Sequence, residues 1–317
     1  MVGRVNCYLL EDDPLTLVDT GPNSGTALDE LEQGLHALDH GIEDLELIVL
    51  THQHIDHTGL VAILAERSGA EVAAIDIMVP FLENYAADAE SDDEFAAAVM
   101  LRHGIPEDVV TALRAVSRSF REWGAQAKVT RPLRDGDTLT LRDRSLEVFL
   151  RPGHSPSDTV FWDAERRILL AADHLIAHIS SNPLISRPLD GSEERPRALV
   201  SYVESLRQTR AMPAELVLSG HGEPITDHVP LIDERFSFYE SRAAKIQALI
   251  STRPLTAHEL AQELWGNVAV TQAYLTLSEV IGHLDLLIDA GSARELVEDG
   301  IVRFEATGSG DPVRLLP

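Results

Sequence analysis

The sequence predicts a layered α/β structure followed by a smaller unit of different style. Three observations carry that expectation. Short apolar runs alternate with stretches of helical periodicity through much of the first 224 residues, the pattern of sheets covered by helices. The length of 317 residues exceeds one typical domain, and 44% hydrophobic residues suffice for a sizeable core. After residue 225 the pattern becomes two helices and a terminal hairpin. The chain is therefore expected to divide into residues 1–224 and 225–317.

Taken in order, NCYLLED and LTLVDTG read as two short strands joined at Asp12-Asp13-Pro14. ALDELEQGLHALDHG then places Leu28, Leu31, Leu35 and Leu38 at helical spacing, with Gly41 positioned to end the helix. LELIVL is a buried strand that runs into THQHIDHTG. LVAILAERSG is a helix closed at Gly69, and AEVAAIDI is another strand. Residues 80–124 break the rhythm with an Ala-rich helical insertion that carries DAESDDE. Such an insertion is expected to act as a surface element or as a lid over a site. Its Phe81 and Tyr85 could line a pocket, with buried packing as the default. Strands return from Val129 to Gly222 in LTLRDRSLEVFLRPG, TVFWDAERRILLAAD and ELVLSGHG, with turns at Asp135-Gly136 and Asp163-Ala164. A linking helix ends near LISTRP. TAHELAQELWG opens on a capping box of Thr256 and Glu259, SEVIGHLDLLIDAG is an amphipathic helix, and ARELVEDGIVRFEA turns back at Asp299-Gly300. These last elements spell a winged-helix-like module.

Charge narrows the partners. Lys and Arg number 26 against 52 Asp and Glu, a formal net charge of −26, which argues against general binding of nucleic acid or anionic membrane. Residues 225–317 hold seven Lys or Arg and fourteen Asp or Glu. The helix that would enter a groove, Thr271 to Ala290, has no basic residue but carries Glu279, Asp285 and Asp289, the reverse of a nucleic-acid reader. The module is expected to pack on the first unit or on a second subunit, as in a homodimer. No apolar run is long enough to span a bilayer, and the start MVGRVNCYLLEDD lacks the apolar core of a secretory signal. The single cysteine, Cys7, reads as a buried strand residue and fits a reducing cytoplasm.

THQHIDHTG crowds His52, His54, Asp56 and His57 into six positions directly after a strand. A loop at a strand end can aim all four at a small volume, which no single helix face could do. Imidazole and carboxylate suit zinc, iron or manganese, and the lack of cysteine ligands excludes a thiolate structural site. Four such residues hold two cations better than one. His154 in RPGHSPSD, Asp173 in AADHLI and His221 in LSGHG follow runs that read as strands, and glycine precedes both histidines. The expected set is His52, His54 and His154 on one cation, Asp56, His57 and His221 on the other, and Asp173 between them. Asp19 in VDTG is expected to accept a hydrogen bond that orients a ligand. Asp56 and His178, the latter as a substrate or proton-transfer residue, are the catalytic candidates. His174 is a neighbour or an orienting donor; His36 and His40, on an exposed helix, have no expected role.

LVDTG, THQHIDHTG, PGHSPSD, AADH and SGHGEPI resemble the metallo-beta-lactamase superfamily in order and spacing, over about residues 5–224. The resemblance implies an αββα sandwich with two divalent metal ions at the sheet edge, zinc foremost. Asp173 is similar to the bridging aspartate of the glyoxalase II, lactonase and nuclease branches. The chain departs from relatives with an extra leading strand, since VNCYLLED comes almost at once. Two cations would acidify a shared water and stabilise an oxyanion. The first expectation is hydrolysis of a thioester, ester or lactone, similar to hydroxyacylglutathione hydrolase, on a small acyl substrate. The alternatives are a metal-dependent endoribonuclease and an iron sulfur-dioxygenase. Arg187, Arg195 and Arg197 are candidates for clamping an anionic thiol leaving group, or members of a solvated loop.

Overall fold

A computed structural model describes residues 3–189, 191–192, 194–268 and 272–316. Two five-stranded sheets form its centre. The first runs in the order β1 (Tyr8–Leu10), β2 (Thr16–Val18), β3 (Leu47–Val49), β4 (Glu71–Ile75), β5 (Arg131–Leu133). β1 is antiparallel to β2 and the remaining pairs are parallel. The second sheet comprises β6 (Thr138–Thr140), β7 (Ser145–Leu150), β8 (Thr159–Asp163), β9 (Ile168–Ala172) and β10 (Leu216–Ser219) in consecutive order. Only its β9–β10 pair is parallel.

Side-chain alternation along the strands stacks these sheets. Leu146, Val148, Phe161 and Leu170 of the second sheet share a core with Leu17, Val49 and Ala73 of the first. The alternate residues Val160, Trp162, Leu169 and Ala171 turn outward, onto α7 (Ala198–Arg210) and α8 (His228–Ile250). On the far side, α1 (Gly25–His36) and α3 (Val61–Ser68) cover the first sheet through Leu35, Val61 and Leu64. The order is helix, sheet, sheet, helix. Coverage on both faces explains why β3 is apolar throughout. Between β3 and α3 lies the short α2 (Ile55–Thr58).

Some local expectations shift. The first helix stops at His36, before Leu38 and Gly41, because Asp39 takes a left-handed φ of 60° and His40 N returns to Leu35 O. Leu38 is 47% exposed, and Gly41 instead starts the short turn Ile42–Asp44. His40 therefore lies off the helix, 3.5 Å from Glu11. Cys7 precedes β1 and is half-buried, with burial pushing its thiol pKa up.

The insertion forms α4 (Val79–Glu83), α5 (Tyr85–Arg102) and α6 (Glu107–Phe120). It packs on the C-terminal elements: Val99, Met100, Ile105 and Val110 share a core with α9 (Ala257–Trp265), α10 (Ala273–Asp289) and the hairpin of β11 (Ala293–Glu298) and β12 (Ile301–Ala306). The capping box at Thr256 is present, with Glu259 N 3.0 Å from Thr256 Oγ1 and Thr256 N 2.7 Å from Glu259 Oε2. Asp299 and Gly300 turn the hairpin with φ of 51° and 82°. α10 is a correction. It is buried on most of its circumference rather than amphipathic, since α5, α7, α8 and α9 surround it. Thr271, where that helix was expected to begin, lies outside the described residues, as do Met1, Val2 and Pro317 at the expected unit ends. Among the described residues no helix is long and apolar enough to cross a membrane.

Candidate metal centre

The clustered side chains follow strand ends, either directly or, for Asp56 and His57, on the short helix α2. β2 delivers Asp19, whose φ of 59° turns its carboxylate back under the next strand. β3 delivers Thr51 to His54, and His54 caps α2, which carries Asp56 and His57. β7 leads to His154, β9 to Asp173 through Ala172 at φ 44°, and β10 to Gly220 and His221. A Cβ on Gly220 would collide with Asp173 Oδ1 and sit 2.8 Å from His57 Cε1. Only glycine lets β10 pass this close to the cluster.

The hydrogen bonds behind the ligands fix which nitrogen faces inward. Carbonyls and carboxylates can only accept, so His57 Nδ1 donates to Asp19 Oδ2 (2.8 Å), His154 Nδ1 to Asn182 O (3.1 Å) and His221 Nδ1 to Arg4 O (2.9 Å). Thr51 Oγ1 donates to Asp19 Oδ2 (2.8 Å) and so accepts from His52 Nδ1 (3.0 Å). Four imidazoles are thereby set as the tautomer with a lone pair on Nε2. Those lone pairs converge. His52 Nε2 and His154 Nε2 lie 3.1 and 2.9 Å from His54 Nδ1. His57 Nε2 lies 3.4 Å from Asp173 Oδ1 and 3.9 Å from Asp56 Oδ2. His221 Nε2 lies 3.5 Å from Asp56 Oδ2 and 3.4 Å from Asp173 Oδ2, while His154 Nε2 is 3.5 Å from Asp173 Oδ2.

His57 Nε2, His221 Nε2 and Asp173 Oδ1 are buried with no hydrogen-bond partner. Orphaned acceptors at one point cost folding energy unless a cation satisfies them. The donor atoms group as His52–His54–His154, His52–His57–Asp173 and Asp56–His57–His221, each within 4.8 Å. The residues thus fit divalent cations, which a carboxylate binds in its ionised form and an imidazole binds once the nitrogen facing the cation is free of its proton. Burial, reinforced by neighbouring histidines, holds His52 well below its usual pKa and His54 down to about 3. Burial opposes ionisation of Asp173 and Asp56, but His221 and His57 outweigh it and hold both carboxyls low. Burial likewise opposes charge on His57 and His221; facing carboxylates overcome it, raising His57 well above its ordinary value and His221 to about 9.

The family profile Lactamase_B, metallo-beta-lactamase superfamily, matches residues 1–221. The chain belongs to the metallo-beta-lactamase superfamily. It is 32% identical over 286 residues to a Bacillus subtilis protein named probable metallo-hydrolase YqjP, covering 90% of this chain and 88% of the relative. It is 25% identical over 224 residues to the Haemophilus influenzae hydroxyacylglutathione hydrolase GloC, covering 70% of this chain and 87% of that protein. Among solved structures, a metallo-beta-lactamase family protein from Thermus thermophilus superposes with a TM-score of 0.76 at 28% identity, over 95% of this chain and 93% of that one.

Other residues fall differently around this superfamily site. His178 is exposed and lies against Gly222, whose Cβ would come 2.7 Å from its Nδ1. It is beside the cluster rather than in it. His174 points away, bonding Thr209 Oγ1 of α7 at 2.8 Å. The arginines form neither a clamp nor a solvated loop: Arg187 pairs with Asp88 and Asp92 of α5, Arg195 with Asp285 of α10 at 2.7 and 2.9 Å, and Arg197 with Asp289 at 2.6 Å. Phe81 is buried and the Tyr85 hydroxyl donates to Arg121 O at 2.9 Å, so both pack. Sequence reasoning missed the brace between the two main ligand loops. Gln53 Oε1 accepts from Ser157 Oγ (2.8 Å), Gln53 N donates back to it (3.1 Å), and Asp158 accepts from Ser155 N and Oγ (2.9 and 2.8 Å). The residues after His154 in RPGHSPSD were its one visible trace.

Proposed function

We propose that the chain is a metal-dependent hydrolase of thioesters, esters or lactones that uses two divalent cations, zinc foremost. The observation that carries this reading is the inward convergence of Nε2 lone pairs with orphaned His57, His221 and Asp173 atoms. His52, His54 and His154 would hold one cation, Asp56, His57 and His221 the other, and Asp173 would join them. Bound there, the pair would supply an acidified water and Lewis-acid stabilisation of a developing oxyanion. The chain's own part is to hold ligands rigid: Asp19 aims His57, Thr51 aims His52, and the brace of Gln53, Ser155, Ser157 and Asp158 ties their loops together. The Asp56 side chain, 40% exposed against 6% for Asp173, marks the side from which substrate arrives. His178, beside Gly222 on the exposed surface, is the group proposed to move a proton to or from the leaving group.

The likeness to a hydroxyacylglutathione hydrolase supports an acyl substrate. The ion pairs of Arg187, Arg195 and Arg197 disfavour the reading of these residues as a cationic clamp for an anionic leaving group. A nuclease reading finds little support, because α10 is buried and its Asp285 engages Arg195. The test is a panel of thioesters, lactones, β-lactams and phosphodiesters offered to protein of measured metal content. Acyl hydrolysis is expected, falling to background in His54→Ala and Asp173→Ala. A protein with two metals per chain that turns over no acyl substrate would overturn the proposal.

A further inference from the structure

Residues 180–187 form an extended strap with no regular secondary structure. Nothing in a sheet or helix ladder sets its position, so its side-chain and end contacts must. On one face it holds the metal cluster. Ser181 Oγ donates to Asp173 O, Asn182 O accepts from His154 Nδ1, and Leu184 N donates to His154 O at 3.4 Å. On the other face it is bonded to the C-terminal helices. Asn182 Nδ2 donates to Leu275 O at 3.0 Å, Ile185 N to Ser278 Oγ at 3.3 Å, and the Tyr274 hydroxyl to Ile185 O, all on α10. Ser180 Oγ lies 2.7 Å from Tyr239 Oη of α8. Ile185 is 2% exposed and sits in the core of the C-terminal elements, and Arg187 fixes the far end to α5.

We infer that the C-terminal module is a positioning part of the metal centre, acting through Asn182: α10 holds the strap, and the strap holds His154 in the tautomer that binds a cation. One residue joins the two faces. The backbone carbonyl of Asn182 orients His154, while its side-chain amide is anchored to the backbone of α10, 93 positions further along the chain. Its neighbours in the strap bond one side each: Ser181 and Leu184 bond the ligand residues Asp173 and His154, and Ser180 and Ile185 bond α8 and α10. Sequence distance hides this coupling. It gives the module a part in the chemistry that needs neither nucleic acid nor a second subunit. Asn182 is a positioning residue, because it touches no reacting atom.

The inference rests on the proposal that the clusters hold cations, and the test separates the two. Cobalt(II) is titrated into metal-free wild-type protein, Asn182→Ala and Ser278→Ala, followed by visible absorption and chelator competition. The 15N shifts of the histidine rings are recorded before metal is added. In the wild type, His154 is expected to carry its proton on Nδ1 and two cobalt ions to bind. In Asn182→Ala, His154 should become a tautomer mixture, and the cation held by His52, His54 and His154 should bind about tenfold more weakly. The other cation should be little changed. Ser278→Ala should shift both readouts the same way by less, and it serves alone if Asn182→Ala does not fold. A purely structural strap would lower the melting temperature while leaving the tautomer and the ratio of the two affinities in place, and that result overturns the inference. Wild-type protein that binds no cobalt would remove the metal reading itself.

Discussion

Asp19 carries more of the centre than its position outside the ligand set indicates. It is 2% exposed and accepts from Thr51 N (2.9 Å), Thr51 Oγ1 (2.8 Å) and His57 Nδ1 (2.8 Å). Through these bonds it orients His57 directly and His52 by way of Thr51. Asp19→Ala leaves three buried donors without their partner, each at a cost of about 1–3 kcal/mol, and frees His57 to rotate. Metal affinity measured by chelator competition should fall about 10- to 100-fold; unchanged affinity would show that the ring is held by packing alone. Gly220 makes a sharper test, because its constraint is steric. Gly220→Ala places a methyl group against Asp173 Oδ1 and His57 Cε1, so metal content per chain should drop while circular dichroism stays native. At this scale the ligand types were legible, since chance rarely writes His52, His54, Asp56 and His57 into one turn. Asp19 was legible as a strand-end carboxylate. Gln53 and Ser157 were not, because polar groups that pair 104 positions apart leave no periodic trace.

Elements whose signals are local matched expectation most closely. The hairpin turn at Asp299-Gly300 and the capping box at Thr256 are each specified within a few residues. Errors arose where a distant contact decides. The periodicity of α10 marks a helix but not what surrounds it, and four other helices bury the face that the sequence leaves open. The same holds for the insertion, whose helices were visible while their partner was not. His103, just past α5, stacks on Phe304 of β12 with centroids 5.9 Å apart and planes 7° from parallel, and His103 O accepts from His258 N at 3.2 Å. Phe304 is 1% exposed, so Phe304→Ala should cost about 3–5 kcal/mol in urea unfolding. If the hairpin anchors the insertion, the same variant should speed hydrogen exchange in α5 while β3 and β4 stay protected. Uniform loss of protection would mean that the two regions are not separately coupled.

For the molecule as a whole, histidines buried where the insertion meets the C-terminal elements and within those elements create an acid sensitivity that composition does not suggest. A chain with 52 acidic residues against 26 basic ones should lose self-repulsion as pH falls. The buried histidines oppose that gain. Burial, with Arg195 and Arg102 adding to it, pushes His103 down to about 3, and burial pushes His283 down to about 4. In the unfolded chain each titrates near its ordinary value of about 6.5. Between those limits the unfolded state binds more protons than the folded one, so stability is full above about pH 6.5 and is lost as pH falls toward 4. Asp158, raised to about 6 by burial, works with the opposite sign, because its folded form holds a proton that the unfolded chain has released. The histidine contribution must therefore be read as a difference between proteins. His103→Phe keeps a ring against Phe304 and removes the titration. Between pH 7 and pH 4.5 it should lose about 2 kcal/mol less stability than the wild type in urea unfolding. Parallel losses in the two proteins would mean that His103 reaches solvent in the folded state and that the contact between insertion and hairpin is looser than the stacked geometry requires.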